Sequence, residues 1–104
     1  MKRDKKLSEI KNQVKLLMPG SRVILFGSRA RGDGDSRSDY DIMVISDKHL
    51  GVKEKRQFAG KIRRKLAVMG IPVDVLVKSE RDVSYYRNKI GNLVREAVTT
   101  GITL

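Results

Sequence analysis

An α/β domain built on a small sheet of about three strands is the fold the sequence predicts, and three observations predict it. Short β-branched runs recur at 22–26, 39–46 and 72–79, apolar residues at helical spacing fill the stretches between and around them, and glycine or proline punctuates most junctions. The resulting order is helix, strand, long connection, strand, helix, strand, helix, with helices covering at least one face of the sheet. We expect a single domain over residues 1–104 because the chain shows no internal repeat and no linker-like stretch.

Each element has its own warrant. Residues 5–18 carry Leu7, Ile10, Val14 and Leu17 at spacings of three and four with lysines between them, and Pro19-Gly20 ends the pattern. The run Arg22 to Phe26 is short, apolar and bounded by Gly20-Ser21 and Gly27-Ser28, which predicts a buried strand. Residues 27–38 are rich in glycine, serine and charge, so they read as a long connection that opens with a single helical turn. Asp39 to Ser46 alternates as a second strand, with Asp39, Asp41, Met43 and Ile45 on one face and Tyr40, Ile42 and Val44 on the other. Over 52–69, Val52, Phe58, Ala59, Ile62, Leu66 and Met69 share one helical face, opposite Lys53, Lys55, Arg56, Lys61, Arg63, Arg64 and Lys65. Pro72 to Ser79 forms a third strand that sets Asp74 and Leu76 on one face and Val73, Val75 and Val77 on the other. Ser79 then caps a last helix whose apolar positions are Ile90, Leu93, Val94, Ala97 and Val98, with a break near Gly91 and an end before Gly101.

Composition removes whole classes of chemistry. With no cysteine there is no disulfide scaffold, thiol nucleophile or cysteine-ligated metal, and the single His49 cannot build a histidine cage. Hydrophobic residues at 39% and charged residues at 34% fit a folded globule rather than a disordered chain. No run approaches the roughly 18 apolar residues of a membrane span, and MKRDKKLSEIKNQ lacks the apolar segment of a secretion signal, so we expect a cytoplasmic protein with no membrane role. A net charge of +11 predicts attraction to polyanions without choosing between nucleic acid, a nucleoside triphosphate and an acidic protein.

Against that basic background, Asp33, Asp35, Asp39 and Asp41 gather four of the twelve acids into nine residues. Carboxylates at i and i+2 on a strand face the same way with Cα atoms about 6 to 7 Å apart, so Asp39 and Asp41 can converge on a shared cation. Two ionised carboxylates about 5 Å apart at an effective dielectric of about 20 repel by about 3 kcal/mol, a cost that a divalent ion removes. Asp74, also flanked by strand residues, is a candidate third ligand. Three carboxylates without histidine favour Mg²⁺ or Mn²⁺ over zinc. The competing reading, a wet strand face, leaves unexplained the preceding strand that ends in Gly27-Ser28. Gly27 lets a phosphate approach the backbone, and Ser28 offers either a hydroxyl to that phosphate or a helix cap. Arg29, Arg31 and Arg37 either neutralise triphosphate charge or decorate an exposed basic loop. The glycine spacing fits neither a Walker A loop nor a dinucleotide fingerprint.

Gly27-Ser28, ten residues, then Asp39-X-Asp41, with Asp74 in the later strand, resembles the motif of the polymerase-β-like nucleotidyltransferase superfamily in its minimal form. The resemblance implies a small mixed sheet of the nucleotidyltransferase fold. It also implies a turn at Gly27 and Ser28 that holds triphosphate oxygens of ATP; Arg31 is the nucleotide-binding candidate among the loop arginines by its charge alone. Asp39, Asp41 and Asp74 would hold two Mg²⁺ ions and serve as the catalytic acids, Asp74 as ligand, base or both. AMP would pass from ATP to a hydroxyl. Minimal members of this kind typically pair with a small helical HEPN protein, which implies an antitoxin that adenylylates a tyrosine on its toxin partner. The chain does not resemble that partner, whose RNase motif sets an arginine shortly before a histidine, whereas Ile42, Met43 and Val44 hold those positions before His49.

Two other readings compete. One is a non-catalytic module that neutralises a partner by contact. The other is a nucleic-acid binder using the basic face of 53–65, less favoured because its one aromatic, Phe58, falls on the core side and leaves no stacking platform. Tyr85 and Tyr86 read as packing or partner contacts before self-modification sites, and His49 as a surface loop residue.

Overall fold

Why the chain folds as it does is clearest from its strands, whose alternation is resolved into two separate apolar clusters. In this computed structural model residues 4–35 and 37–104 are described; the start of the basic amino terminus and position 36 of the glycine-rich connection lie outside the described residues. The elements are α1 (Lys5–Leu17), β1 (Arg22–Phe26), α2 (Gly27–Arg31), β2 (Tyr40–Ser46), α3 (Val52–Val68), β3 (Val73–Ser79), α4 (Glu80–Tyr86), α5 (Leu93–Thr100) and β4 (Ile102–Thr103).

The sheet runs β3-β2-β1-β4. β1 pairs antiparallel with β2 and with β4, while β2 and β3 are parallel, so the sheet is mixed. A parallel pair needs a crossover, and α3 supplies it. Val23, Leu25, Tyr40, Ile42, Val44, Val73 and Val77 face a cluster closed by Ile10 and Val14 of α1 and Ile62 and Leu66 of α3. The alternate residues Ile24, Phe26, Met43 and Ile45 face a second cluster closed by Val83 of α4 and Val94 and Ala97 of α5. Both faces of the sheet are therefore covered, and the alternation read from the sequence assigns each strand residue to its correct side.

Three expectations need amendment. The last helix is two helices: Ser79 and Asp82 form a capping box that starts α4, and Asn92 caps α5 by accepting from the Val94 amide at 2.8 Å. Ile90 lies between them and is 88% exposed, and Leu93 is 52% exposed, so only Val94, Ala97 and Val98 of the anticipated apolar set pack inward. In α3, Val52 sits at the first helical position and is exposed, as is Met69 beyond the last, so the two ends of the anticipated apolar face do not pack inward. Finally, β4 is a fourth strand: Leu25 pairs with Ile102 and Ile24 with Thr103, and the Leu104 amide donates to the Val23 carbonyl at 2.9 Å. Among the described residues no helix is long and apolar enough to cross a membrane.

Candidate nucleotidyl-transfer site

Strand register builds the site. Phe26, the last residue of β1, lies opposite Asp41, and Asp41 lies beside Asp74 across the parallel pair, so one row at one end of the sheet reads Phe26, Asp41, Asp74. Asp41 and Asp74 have the same parity as Met43 and Leu76, so both belong to the face covered by α4 and α5. The sequence places these two carboxylates on one face, and the fold puts them on neighbouring strands at the same level.

Gly27 follows at once, with φ of +73°, and starts α2. A Cβ built at Gly27 would fall on the Asp41 Oδ2 atom and come within 3.1 Å of its Cγ, so the turn's backbone lies directly against that carboxylate. Ser28 is the second residue of α2, whose N-cap is Phe26 with no side-chain cap bond; the hydroxyl is thus not spent on capping. The Ser28 carbonyl accepts from the amides of Asp33 at 3.1 Å and Gly34 at 3.2 Å and folds the following loop back onto the turn.

The three arginines of the loop separate. Arg29 lies 4.2 Å over the Tyr40 ring and donates twice to the Ser38 carbonyl, at 3.0 and 2.8 Å, so it fastens the loop to the sheet. The Arg37 side chain is 91% exposed and, among the described residues, approaches Asp35 alone. Arg31 alone of the three shares a cavity of about 400 Å³ with Gly27, Ser28, Asp41 and Asp74; Phe26, Leu76, Leu93 and Glu96 complete its lining.

Asp39 is exposed and stands outside that lining. Its charge nevertheless reaches Asp41. Burial first, then the charges of Asp74, Asp39 and Glu96, raise the Asp41 carboxyl above its ordinary value, and Arg31 partly offsets them. Among the described residues no three His, Cys, Asp or Glu side chains are already gathered as a metal cage. The donor set still fits a hard cation: it is all oxygen, and the mutual repulsion felt at Asp41 is the kind a dication relieves.

Sequence reading missed Glu96. It stands on α5, far from the motif in sequence, and its Oε1 lies 3.5 Å from the Arg31 Nη1. A single acid beside the apolar stripe of a short helix looks like any solvated residue, and only the docking of α5 against β1 brings it to the cavity. His49 is exposed as expected. Tyr86 packs on the second cluster with Tyr85 edge-on at 4.7 Å, leaving Tyr85 63% exposed. Along α3, Lys55 is held by Asp82 at 2.7 Å, while Phe58 packs on the first cluster.

Known proteins bear on this geometry. The nucleotidyltransferase domain family matches residues 7–98. A Methanocaldococcus jannaschii protein assigned as a protein adenylyltransferase is 38% identical over 53 residues, covering 49% of this chain. That match takes in 54% of the archaeal protein, so the chain spans about half the length of this curated relative. A crystal structure of a Sulfolobus solfataricus protein assigned as a nucleotidyltransferase shares the fold with a TM-score of 0.64 at 25% identity, over 95% of this chain and 76% of that one. The Shewanella oneidensis MNT antitoxin complex with a tri-AMPylated HEPN toxin gives a TM-score of 0.56 at 21% identity, over 94% and 67%. A toxin–antitoxin structure with AMP-PNP gives 0.61 at 22%, over 92% and 69%. With the family model matched over residues 7–98, most of the chain and all of the glycine-serine turn and carboxylate row, the chain belongs to the nucleotidyltransferase domain family.

Proposed function

We propose that this chain is a magnesium-dependent nucleotidyltransferase that moves AMP from ATP to a hydroxyl, the acceptor being a tyrosine on a small helical HEPN toxin for which the chain acts as antitoxin. The observation that carries the reading is the row Phe26, Asp41, Asp74 with the Gly27 backbone lying on the Asp41 carboxylate. A turn made for a phosphate and a pair of carboxylates made for a cation then share one cavity. The family match supports the reaction class, and the motif resemblance together with the fold shared with MNT antitoxins supports the partner.

Residue roles follow from chemistry. Gly27 and Ser28 take phosphate oxygens, and Arg31 balances triphosphate charge at the rim. Asp39, Asp41 and Asp74 would hold Mg²⁺, which when bound polarises the α-phosphorus and steadies the leaving pyrophosphate. The acceptor oxygen attacks the α-phosphorus in line, the bond to the bridging oxygen breaks, and pyrophosphate departs with that electron pair. Asp74, exposed on the edge strand β3, is open to an acceptor arriving from another protein. It can take the hydroxyl proton there, or orient that hydroxyl while solvent takes the proton.

Incubation with α-labelled ATP, Mg²⁺ and cell extract tests this. The intact protein should label an acceptor of HEPN-toxin size on tyrosine, and the Asp39→Asn/Asp41→Asn variant should lose at least about 100-fold in rate. Equal inhibition of the toxin by both proteins with no label transferred would instead favour the contact-only module.

A further inference from the structure

Arg31 is the only cation lining the cavity among the described residues, and it has anionic partners within the protein. Its Nε lies 3.2 Å from Asp33 Oδ2 and its Nη1 3.5 Å from Glu96 Oε1. Asp33 stands outside the cavity lining, whereas Glu96 belongs to it. The two partners of the Arg31–Glu96 pair also differ in freedom. Glu96 is carried by a fixed helix: Asn92 caps α5, Val94 and Ala97 on either side of Glu96 are buried, and the Glu96 carbonyl accepts from the Thr100 hydroxyl at 2.8 Å. Arg31 is the last residue of a five-residue helix, and its long side chain is 52% exposed. The long, half-exposed Arg31 side chain has room to turn toward a more highly charged anion, whereas the Glu96 side chain, 40% exposed, is anchored at its backbone by α5.

We propose that Glu96 is a positioning residue that holds Arg31 at the cavity wall and competes with the incoming triphosphate for it. This rests on the nucleotide reading above. Binding a nucleotide then includes breaking the Arg31–Glu96 pair. The triphosphate therefore exchanges one anionic partner of Arg31 for another, so the affinity gained from Arg31 is smaller than a free guanidinium would give. Exposed ion pairs are worth at most about 1 kcal/mol, which corresponds to about fivefold in affinity and sets the size of the effect.

A double-mutant cycle read by calorimetric binding of AMP-PNP with Mg²⁺ tests the competition. Glu96→Gln keeps the side chain's shape, and a thermal unfolding curve checks that α5 stays docked. Glu96→Gln should tighten binding two- to fivefold, and the gain should disappear in the Arg31→Gln background. An equal gain in both backgrounds would mean that Glu96 acts only through its field on the triphosphate, and would overturn the proposal. No change, or weaker binding in Glu96→Gln, would overturn it as well. Failure of the wild-type protein to bind AMP-PNP is a separate result that rejects the nucleotide reading itself, and the competition with it.

Discussion

Gly27 shows how little freedom the site leaves. Its φ of +73° favours glycine, and the volume a methyl group would need is taken by the Asp41 carboxylate. Gly27→Ala should therefore lose stability by about 1 to 3 kcal/mol in urea unfolding, from backbone strain plus overpacking. It should also cost transfer activity more than stability alone explains, because the displaced carboxylate is one of those proposed to hold Mg²⁺. Asp41 gives a prediction of the opposite sign. Its carboxyl is raised by burial and by Asp74, Asp39 and Glu96. The folded protein thus keeps a proton that the unfolded chain releases, and stability falls as pH climbs from the ordinary carboxylate value through the raised one. Asp41→Asn should then unfold at a higher temperature than wild type at neutral pH without metal. Millimolar Mg²⁺ should raise the wild-type midpoint and leave that of the variant unchanged. A lower midpoint for the metal-free variant would mean that Asp41 is held by a favourable contact and not crowded by neighbouring charge. Both residues were legible in the sequence, since a glycine ending a strand and an Asp-X-Asp opening the next need no tertiary information.

Elements divide by how much of their stability is local. β1 is found where its β-branched run lies, and the faces of β2 and β3 are those that alternation assigns, because each strand residue is committed to one of two apolar clusters. The C-terminal region was harder. Periodicity joins Ile90 to Leu93 and Val94, but caps at Ser79 and Asn92 divide the segment into two short helices and leave Ile90 outside. β4, two residues long, is too short to show any alternation and exists through its pairing with β1. Glu96 was illegible for the same reason: its neighbourhood is created by α5 docking on β1 and α2. Gly101 joins these two poorly legible elements. A Cβ there would collide with the Ala97 carbonyl and the Ile24 side chain, and would stand 2.9 Å from the Leu25 carbonyl. Gly101→Ala should consequently loosen β4 and the end of α5 together, with a loss of about 1 to 3 kcal/mol in urea unfolding. Hydrogen exchange should speed up at the Leu104 amide, which donates to Val23. An unchanged unfolding midpoint would show that the α5–β4 junction yields at no cost.

At the scale of the molecule, the covered sheet leaves its chemistry to one end, where strand termini, the α2 turn and α5 meet. The chain's net charge of +11 contrasts with that end, where Asp41, Asp74 and Glu96 share the cavity with a single arginine among the described residues and Asp39 adds its charge from outside the lining. On the proposed function, such a pocket would repel a bare triphosphate and admit one accompanied by a dication. The basic surface elsewhere, including the outer side of α3, suits contact with an acidic partner. The central claim, that this end of the sheet transfers a nucleotidyl group, is tested most directly by supplying ATP labelled on either the α- or the γ-phosphate, with Mg²⁺ and the acceptor-containing extract. Label from the α-position should accumulate on protein, and label from the γ-position should leave as pyrophosphate in equal amount. Protein labelled from the γ-position, or ATP consumed to ADP and phosphate with no α-label transferred, would contradict it.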